Sequence, residues 1–207
     1  MERSVIVFDL GGVLIDWNPR HFYRNFFGGN EEEMEWFLAE VCNYEWNSHH
    51  DLGATFEENS RGLIEQYPQY KAAIQAYFFE FEKMLGPPMQ GSLDIVKELS
   101  DRGQRLYVLT NWSAETFPRA REIFPFLSWF KGIVVSGEVR MAKPDPAIFY
   151  RLLDTFSFRA EEAVFIDDRE ENVVAAERIG FYPIHFQSPQ HLRHELVSLG
   201  LLTSRAL

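Results

Sequence analysis

Four short stretches of this chain carry side chains that could do chemistry. Asp9 ends the apolar run Val5-Ile6-Val7-Phe8 and opens Leu10-Gly11-Gly12-Val13-Leu14. Thr110 and Asn111 follow Leu106 to Leu109 and precede Trp112-Ser113. Lys143 stands in Met141-Ala142-Lys143-Pro144-Asp145-Pro146. Asp167 and Asp168 follow Phe165-Ile166 and lead into Arg169-Glu170-Glu171-Asn172. A carboxylate at the tip of a buried strand is poorly explained by packing; it can attack phosphorus, hold a metal, or do both. Two adjacent acids suit a hard cation such as Mg²⁺, which takes oxygen ligands and keeps several waters. Lysine is a compact point charge, fitted to pair with a carboxylate nucleophile and a phosphoryl group. The Thr110 hydroxyl and the N–H groups of its turn can hold phosphate oxygens, and glycines let backbone approach a ligand. Singly, each stretch has a plainer reading: Thr, Asn and Ser commonly cap helices, a lysine before proline is commonly a solvated loop residue, and charged turns are ordinary.

The elements that must position these groups are legible in the pattern. Short apolar runs at Val5 to Phe8, Leu106 to Leu109, Gly132 to Val135, Val164 to Ile166 and Tyr182 to Phe186 read as strands. Helical patterns lie between the later ones: Ser92 to Arg102, ended by Gly103; Ala114 to Ile123; Pro144 to Phe156; and Asn172 to Ile179, closed by Gly180. A terminal amphipathic helix from Ser188 would put Leu192, Leu196 and Leu199 on one side. Strands alternating with helices imply βαβ units and a parallel sheet, whose sites form at the strands' C-terminal ends. From about Trp17 to Leu85 the rhythm breaks into aromatic and acidic residues at helical spacing with no clear strand. Gly28-Gly29-Asn30 makes a turn before the acidic helix start Glu31-Glu32-Glu33. Gly86-Pro87-Pro88 reads as a return hinge. The expected fold is α/β: a three-layer, Rossmann-like core of mostly parallel sheet, with a small helical cap inserted after the first strand. The expected boundaries are residues 1–16 and 87–207 for the core and 17–86 for the cap.

The formal net charge of −11 argues against nucleic acid or an anionic membrane as the main partner. It leaves a small anionic substrate open, because a local Mg²⁺ or lysine inverts the field of a site. The single cysteine, Cys42, cannot form an intramolecular disulfide, and a reducing cytoplasm is the natural compartment. Cys42 falls on a helical apolar face and reads as packing. Met1-Glu2-Arg3-Ser4 leads into too short an apolar run for a signal peptide, and no run approaches the ~18 residues of a membrane span. The aromatic insert could feed a homodimer interface or serve only the seam between cap and core of a monomer.

In this order, each near a strand end, the four stretches resemble the haloacid dehalogenase-like (HAD) superfamily, and the resemblance covers essentially the whole chain. It is similar to that superfamily's phosphatases with a helical cap of the first class, of the bacterial glucose-1-phosphate phosphatase-like kind, through Asp16-Trp17-Asn18-Pro19-Arg20, Leu109-Thr110-Asn111-Trp112-Ser113-Ala114-Glu115-Thr116-Phe117-Pro118, Lys143-Pro144-Asp145-Pro146 and Phe165-Ile166-Asp167-Asp168. The resemblance implies a Mg²⁺-dependent phosphatase of a small phosphorylated metabolite, a sugar phosphate being one candidate. By that resemblance Asp9 is the nucleophile that forms an aspartyl-phosphate. The metal ligands are Asp9, the Gly11 backbone carbonyl and Asp168, with Asp167 supporting and Asn172 placed to bind a metal water. Thr110 and Asn111 cradle the phosphoryl group, and Lys143 orients Asp9 and offsets charge.

Two residues depart from the pattern. Gly11 stands where such phosphatases carry a second Asp that protonates the leaving oxygen, a form of help worth about 10²–10⁴-fold; Asp16 is a nearby candidate to replace it. Val13 replaces the commoner Thr. In the cap, Trp46-Asn47-Ser48-His49-His50-Asp51-Leu52-Gly53 is the most unusual segment. Trp46 could stack on a substrate or simply pack, Asn47 and Asp51 could bind substrate hydroxyls, and His49 and His50, being adjacent, read as exposed rather than as a metal pair. Other readings are a 2-haloacid dehalogenase, whose relatives carry a bulky Tyr at the Gly11 position and usually lack the Asp167-Asp168 pair; a phosphoglucomutase; and a weakened fold that binds a phosphorylated ligand or a protein.

Overall fold

The computed structural model describes residues 3–203 of the 207-residue chain; Met1 and Glu2, on which part of the signal-peptide expectation rests, lie outside them. The strands, in chain order, are β1 (Val5–Phe8), β2 (Ile15–Trp17), β3 (Leu85–Pro88), β4 (Arg105–Thr110), β5 (Gly132–Val135), β6 (Ala163–Asp167) and β7 (Tyr182–His185). Five of them form one sheet in the order β5-β4-β1-β6-β7, and every pairing in it is parallel.

The central strand explains why its sequence is apolar at every position. Alternate side chains point to opposite faces, and both faces of a parallel sheet are covered. Ile6 and Phe8 join one core cluster, with Leu93, Leu99, Phe117 and Leu192. Val5 and Val7 join the other, with Ile148, Phe149, Leu152 and Ala176. The helices Gln90–Asp101, Phe117–Ile123 and Pro189–Ser198 therefore cover one face, and Pro146–Phe156 and Glu170–Ile179 the other. Gly180 ends the last of these at φ +112°, a conformation that favours glycine. This is the expected three-layer arrangement.

Between β2 and β3 the chain is helical, with helices Arg20–Phe26, Glu31–Trp36, Tyr44–Asp51, Phe56–Gln66 and Lys71–Phe79. They enclose an apolar cluster of their own, built on Tyr23, Met34, Phe37, Trp46, Ile74 and Tyr77. Asn30 caps the acidic helix by accepting from Glu33 N at 3.2 Å. Cys42 packs in this cluster, and burial pushes its thiol well up, which disfavours a nucleophilic thiolate.

One element differs from the sequence reading. Gly86-Pro87-Pro88 is not a free hinge: Leu85–Pro88 pairs antiparallel with Ile15–Trp17. Two prolines hide a strand from any propensity argument, yet a two-stranded ribbon leaves edges where a missing N–H does no harm. The ribbon joins the two chain crossings between the sheet and the helical insert. Among the described residues, no helix is long and apolar enough to cross a membrane.

Candidate active site

Parallel register brings the four stretches together. Phe8 is level with Val108 on β4 and with Ile166 on β6, so Asp9 leaves its strand at the same edge as the ends of β4 and β6. Asp9 N donates to Ile166 O at 2.9 Å, which ties the turn to β6. Lys143 reaches this edge from the loop after the short helix Ser136–Val139.

Lys143 is almost wholly buried. Its Nζ lies 2.9 Å from Asp9 Oδ1 and 2.7 Å from Asp167 Oδ2, and it donates to Leu109 O at 2.9 Å. Three acceptors match the three donors of an ammonium group. Burial alone would lower the Lys143 pKa, but the charges of Asp167 and Asp9 outweigh it and hold the group above its ordinary value. Asp167 is also heavily bonded: its Oδ1 accepts from Asn172 Nδ2 at 3.0 Å and from Arg169 N at 2.9 Å. It anchors the lysine, which leaves it less open to a metal than Asp9 and Asp168. Asn172 gives one N–H to Asp167 and also lines the cleft, so it helps to position Asp167 while its amide oxygen stays available to a metal water.

Asp9 keeps one oxygen free. Oδ1 accepts from Lys143 and from Leu10 N at 2.8 Å, which fixes the plane of the carboxylate. Burial pushes its pKa up, Lys143 opposes this, and Asp167 adds to it. The carboxylates of Asp9, Asp167 and Asp168 offer oxygens within 4.8 Å of one another. With one lysine among three acids, the floor is short of positive charge. Because Asp167 is held by three hydrogen bonds, the oxygens most open to a cation are those of Asp9 and Asp168. No protein group donates to the Gly11 carbonyl among the described residues. Hard oxygen donors with negative charge to spare fit Mg²⁺.

Gly12 makes the approach of Asp168 possible. It sits at φ +73°, and a Cβ there would lie 2.3 Å from Asp168 Oδ2. Gly12→Ala should cost about 1–2 kcal/mol in left-handed backbone strain alone and push the Asp168 carboxylate off the floor. A lower melting temperature and weaker Mg²⁺ binding by titration calorimetry are the expected readings.

A cleft of about 510 Å³ opens above this floor. Asp9, Gly11, Gly12, Lys143 and Asp168 line its base. Trp17, Tyr44, Asn47, Asp51, Phe56, Tyr77 and Phe78 line its helical side, and Asn111, Trp112 and Ser113 a flank. Several expectations change here. Trp46 does not line the cleft. It is buried in the cap, its indole N–H donates to Asn59 O at 3.1 Å, and its ring meets those of His50 and Tyr77 at 4.8 and 5.1 Å; its substrate-binding role is corrected to packing. His50 is buried rather than exposed, stacked on Phe56. Thr110, 1 % exposed, is level with Val135 on β5 and is not on the cleft wall, so the expected hydroxyl cradle is not met there. Asn111 lines the cleft, but its amide clamps Lys143: Nδ2 donates to Lys143 O and Oδ1 accepts from Lys143 N, both at 2.9 Å. Asp16 pairs with His21 at 2.9 Å and does not line the cleft.

Asn47 and Asp51, polar residues of the unusual cap segment, both line the cleft. They form a polar i, i+4 pair on one face of a helix, in an otherwise aromatic insert.

A family model for haloacid dehalogenase-like hydrolases matches residues 4–180, and the chain belongs to that family. It is 29 % identical over 189 residues to the sesquiterpene phosphatase AstK of Aspergillus oryzae, covering 86 % of this chain and 87 % of that one. It is 21 % identical to the pyrophosphatase PpaX of Halalkalibacterium halodurans, covering 87 % of this chain and 81 % of that one. Its fold is similar to the crystal structure of a HAD family enzyme of Bacteroides thetaiotaomicron, with a TM-score of 0.71, 22 % identity and coverage of 95 % and 99 %; that enzyme is also known in complex with magnesium and inorganic phosphate.

Proposed function

We propose that the protein is a Mg²⁺-dependent phosphatase that hydrolyses a small phosphomonoester through an aspartyl-phosphate on Asp9. The observation that carries this reading is the bridge of Lys143 Nζ to Asp9 and Asp167. A buried lysine held by Asp167 and Leu109 O so that it orients the strand-end carboxylate of Asp9, with Asp168 nearby, is poorly explained by stability: a buried ion pair is seldom better than apolar packing. The phosphatase and pyrophosphatase among the relatives, and the magnesium and phosphate held by a protein of the same fold, support it.

In this reading the free oxygen of Asp9 attacks phosphorus in line. Lys143 holds the carboxylate in its plane and offsets its charge. Asp167, Asn172 and Asn111 hold Lys143, and the backbone turn at Asn111 to Ser113 faces the phosphoryl group. Asp9, Asp168 and the Gly11 carbonyl hold the Mg²⁺, which when bound neutralises charge on the phosphoryl oxygens.

The helical wall addresses the rest of the substrate. Trp17, Tyr44, Phe56, Tyr77 and Phe78, with Trp112 on the flank, give the cleft a largely aromatic surface, which favours an apolar or aromatic organic part over a bare polyol. The relative that acts on a sesquiterpene phosphate is consistent with this, and it moves the preference away from a sugar phosphate. A panel of aryl, prenyl and sugar phosphates, assayed for phosphate release with Mg²⁺ and with EDTA, tests the reading. Release that needs Mg²⁺ and is fastest on the apolar esters is expected. EDTA-insensitive halide release from 2-chloropropionate, or no release from any ester, would overturn it.

A further inference from the structure

The floor of the cleft holds a nucleophile but no acid for the leaving group. A Cβ built on Gly11 meets nothing within 4 Å, so the space beside Asp9 is open. Lys143 has no donor to spare, and Asp16 lies elsewhere. One carboxyl in the cleft has no role yet. Asp51, at the end of the helix Tyr44–Asp51, lines the same cleft as Asp9 and Lys143. It is 8 % exposed, and among the described residues its carboxyl forms no hydrogen bond or ion pair. Its oxygens open on the cleft rather than being sealed in the protein, which suits a group whose partner is a substrate atom.

Its placement is fixed by close packing. Gly53, at φ +89°, sets the turn after Asp51 against the core: a Cβ there would lie 2.8 Å from Gly137 O and 2.9 Å from Arg140 Cγ. Gly137 in turn abuts the backbone of Trp112 and Ala114. The turn that carries Asp51 is thus seated on the loop that flanks the catalytic floor. Three charged or titratable groups on neighbouring elements face the carboxyl. Lys143 and Arg169 favour its ionised form, and Tyr77 lies beside it. Burial outweighs both cations and pushes Asp51 up to about 7. Such a carboxyl can both give and take a proton near neutrality.

We propose that Asp51 is the general acid and base of the reaction, supplied by the cap in place of the side chain that Gly11 lacks. The proposal rests on the phosphatase reading above. As the Asp9 oxygen bonds to phosphorus and the bond to the leaving oxygen breaks, the Asp51 proton passes to that oxygen and the alcohol departs. Water then attacks phosphorus and gives its proton to Asp51. The bond between Asp9 and phosphorus breaks, orthophosphate leaves, and both carboxyl groups return to their starting states.

The test compares two esters on the same protein samples, so that the ratio is insensitive to the fraction folded. With Mg²⁺ present, kcat/KM is measured for p-nitrophenyl phosphate, whose leaving group departs without a proton, and for an n-alkyl phosphate, whose leaving group needs one. Asp51→Asn should lower the alkyl value by about 10²–10⁴-fold and the nitrophenyl value far less. Gly11→Asp, which places a carboxyl in open space, should restore alkyl turnover in the Asp51→Asn background. Equal loss on both esters, or no restoration by Gly11→Asp, would show that Asp51 only binds substrate and would overturn the proposal. Wild-type protein inactive on both esters would instead overturn the phosphatase reading, and the proposal with it.

Discussion

Replacing Asp9 with Asn should lower phosphate release by on the order of 10⁴-fold or more, because the nucleophile is lost outright. The fold should survive. Asn has the shape of Asp, and Lys143 keeps Asp167 and Leu109 O as acceptors. The sign of the stability effect follows from the raised pKa of Asp9. A carboxyl whose folded value lies above its unfolded value makes folding less favourable as pH rises past the unfolded value, near 3.9. Removing it should leave the metal-free protein at least as stable at neutral pH, with the difference vanishing in acid. The gain in melting temperature that Mg²⁺ gives the wild type should shrink, since one ligand is gone. Phosphate assays and thermal melts with and without Mg²⁺ read all three effects. A variant that melts far below the wild type would mean that Asp9 is structural.

Lys143→Met should be the most damaging single change to stability at the site. Methionine is close in volume, so packing is largely kept, but Asp9 and Asp167 would then sit buried without their shared cation. Breaking a buried pair from one side costs about 3–5 kcal/mol. Chemical denaturation should show a loss of that size, with the slope unchanged. The loss should be largest at neutral and alkaline pH and smaller in acid, where Asp9 takes up a proton. Activity should fall with it, since nothing then holds the Asp9 carboxylate in its plane. Lys143→Arg should not rescue either property: a planar fork cannot meet three acceptors that surround a point charge.

The sheet was legible in the sequence because a central parallel strand must be apolar on both faces, and Val5 to Phe8 and Val164 to Ile166 announce that without ambiguity. The floor residues were legible for a related reason: a polar group at the tip of such a run gains nothing from packing, so its presence points to chemistry. What escaped the sequence depends on contacts between segments far apart. The β2–β3 ribbon hides behind Pro87 and Pro88. Trp46 and Asp51 lie on the same short helix, and only the packed insert shows that Trp46 turns inward while Asp51 turns to the cleft. Asn111 looked like a phosphate ligand because its type and place suit one; that its amide is spent on the Lys143 backbone is visible only once the two loops meet. Gly12 reads in the sequence as a place where backbone approaches a ligand and Gly53 as a simple break, yet each marks a contact too tight for a side chain, one against Asp168 and the other against Gly137.

The central claim is that Asp9 takes the phosphoryl group onto its own carboxylate. Acid quenching of the wild-type protein during turnover of p-nitrophenyl phosphate with Mg²⁺, followed by peptide mass spectrometry, tests it most directly. The peptide containing Asp9 should carry one phosphoryl group, on Asp9, and that signal should be absent from Asp9→Asn. Steady phosphate release, with rapid quenching catching no phosphoryl group on Asp9 at any time, would contradict it.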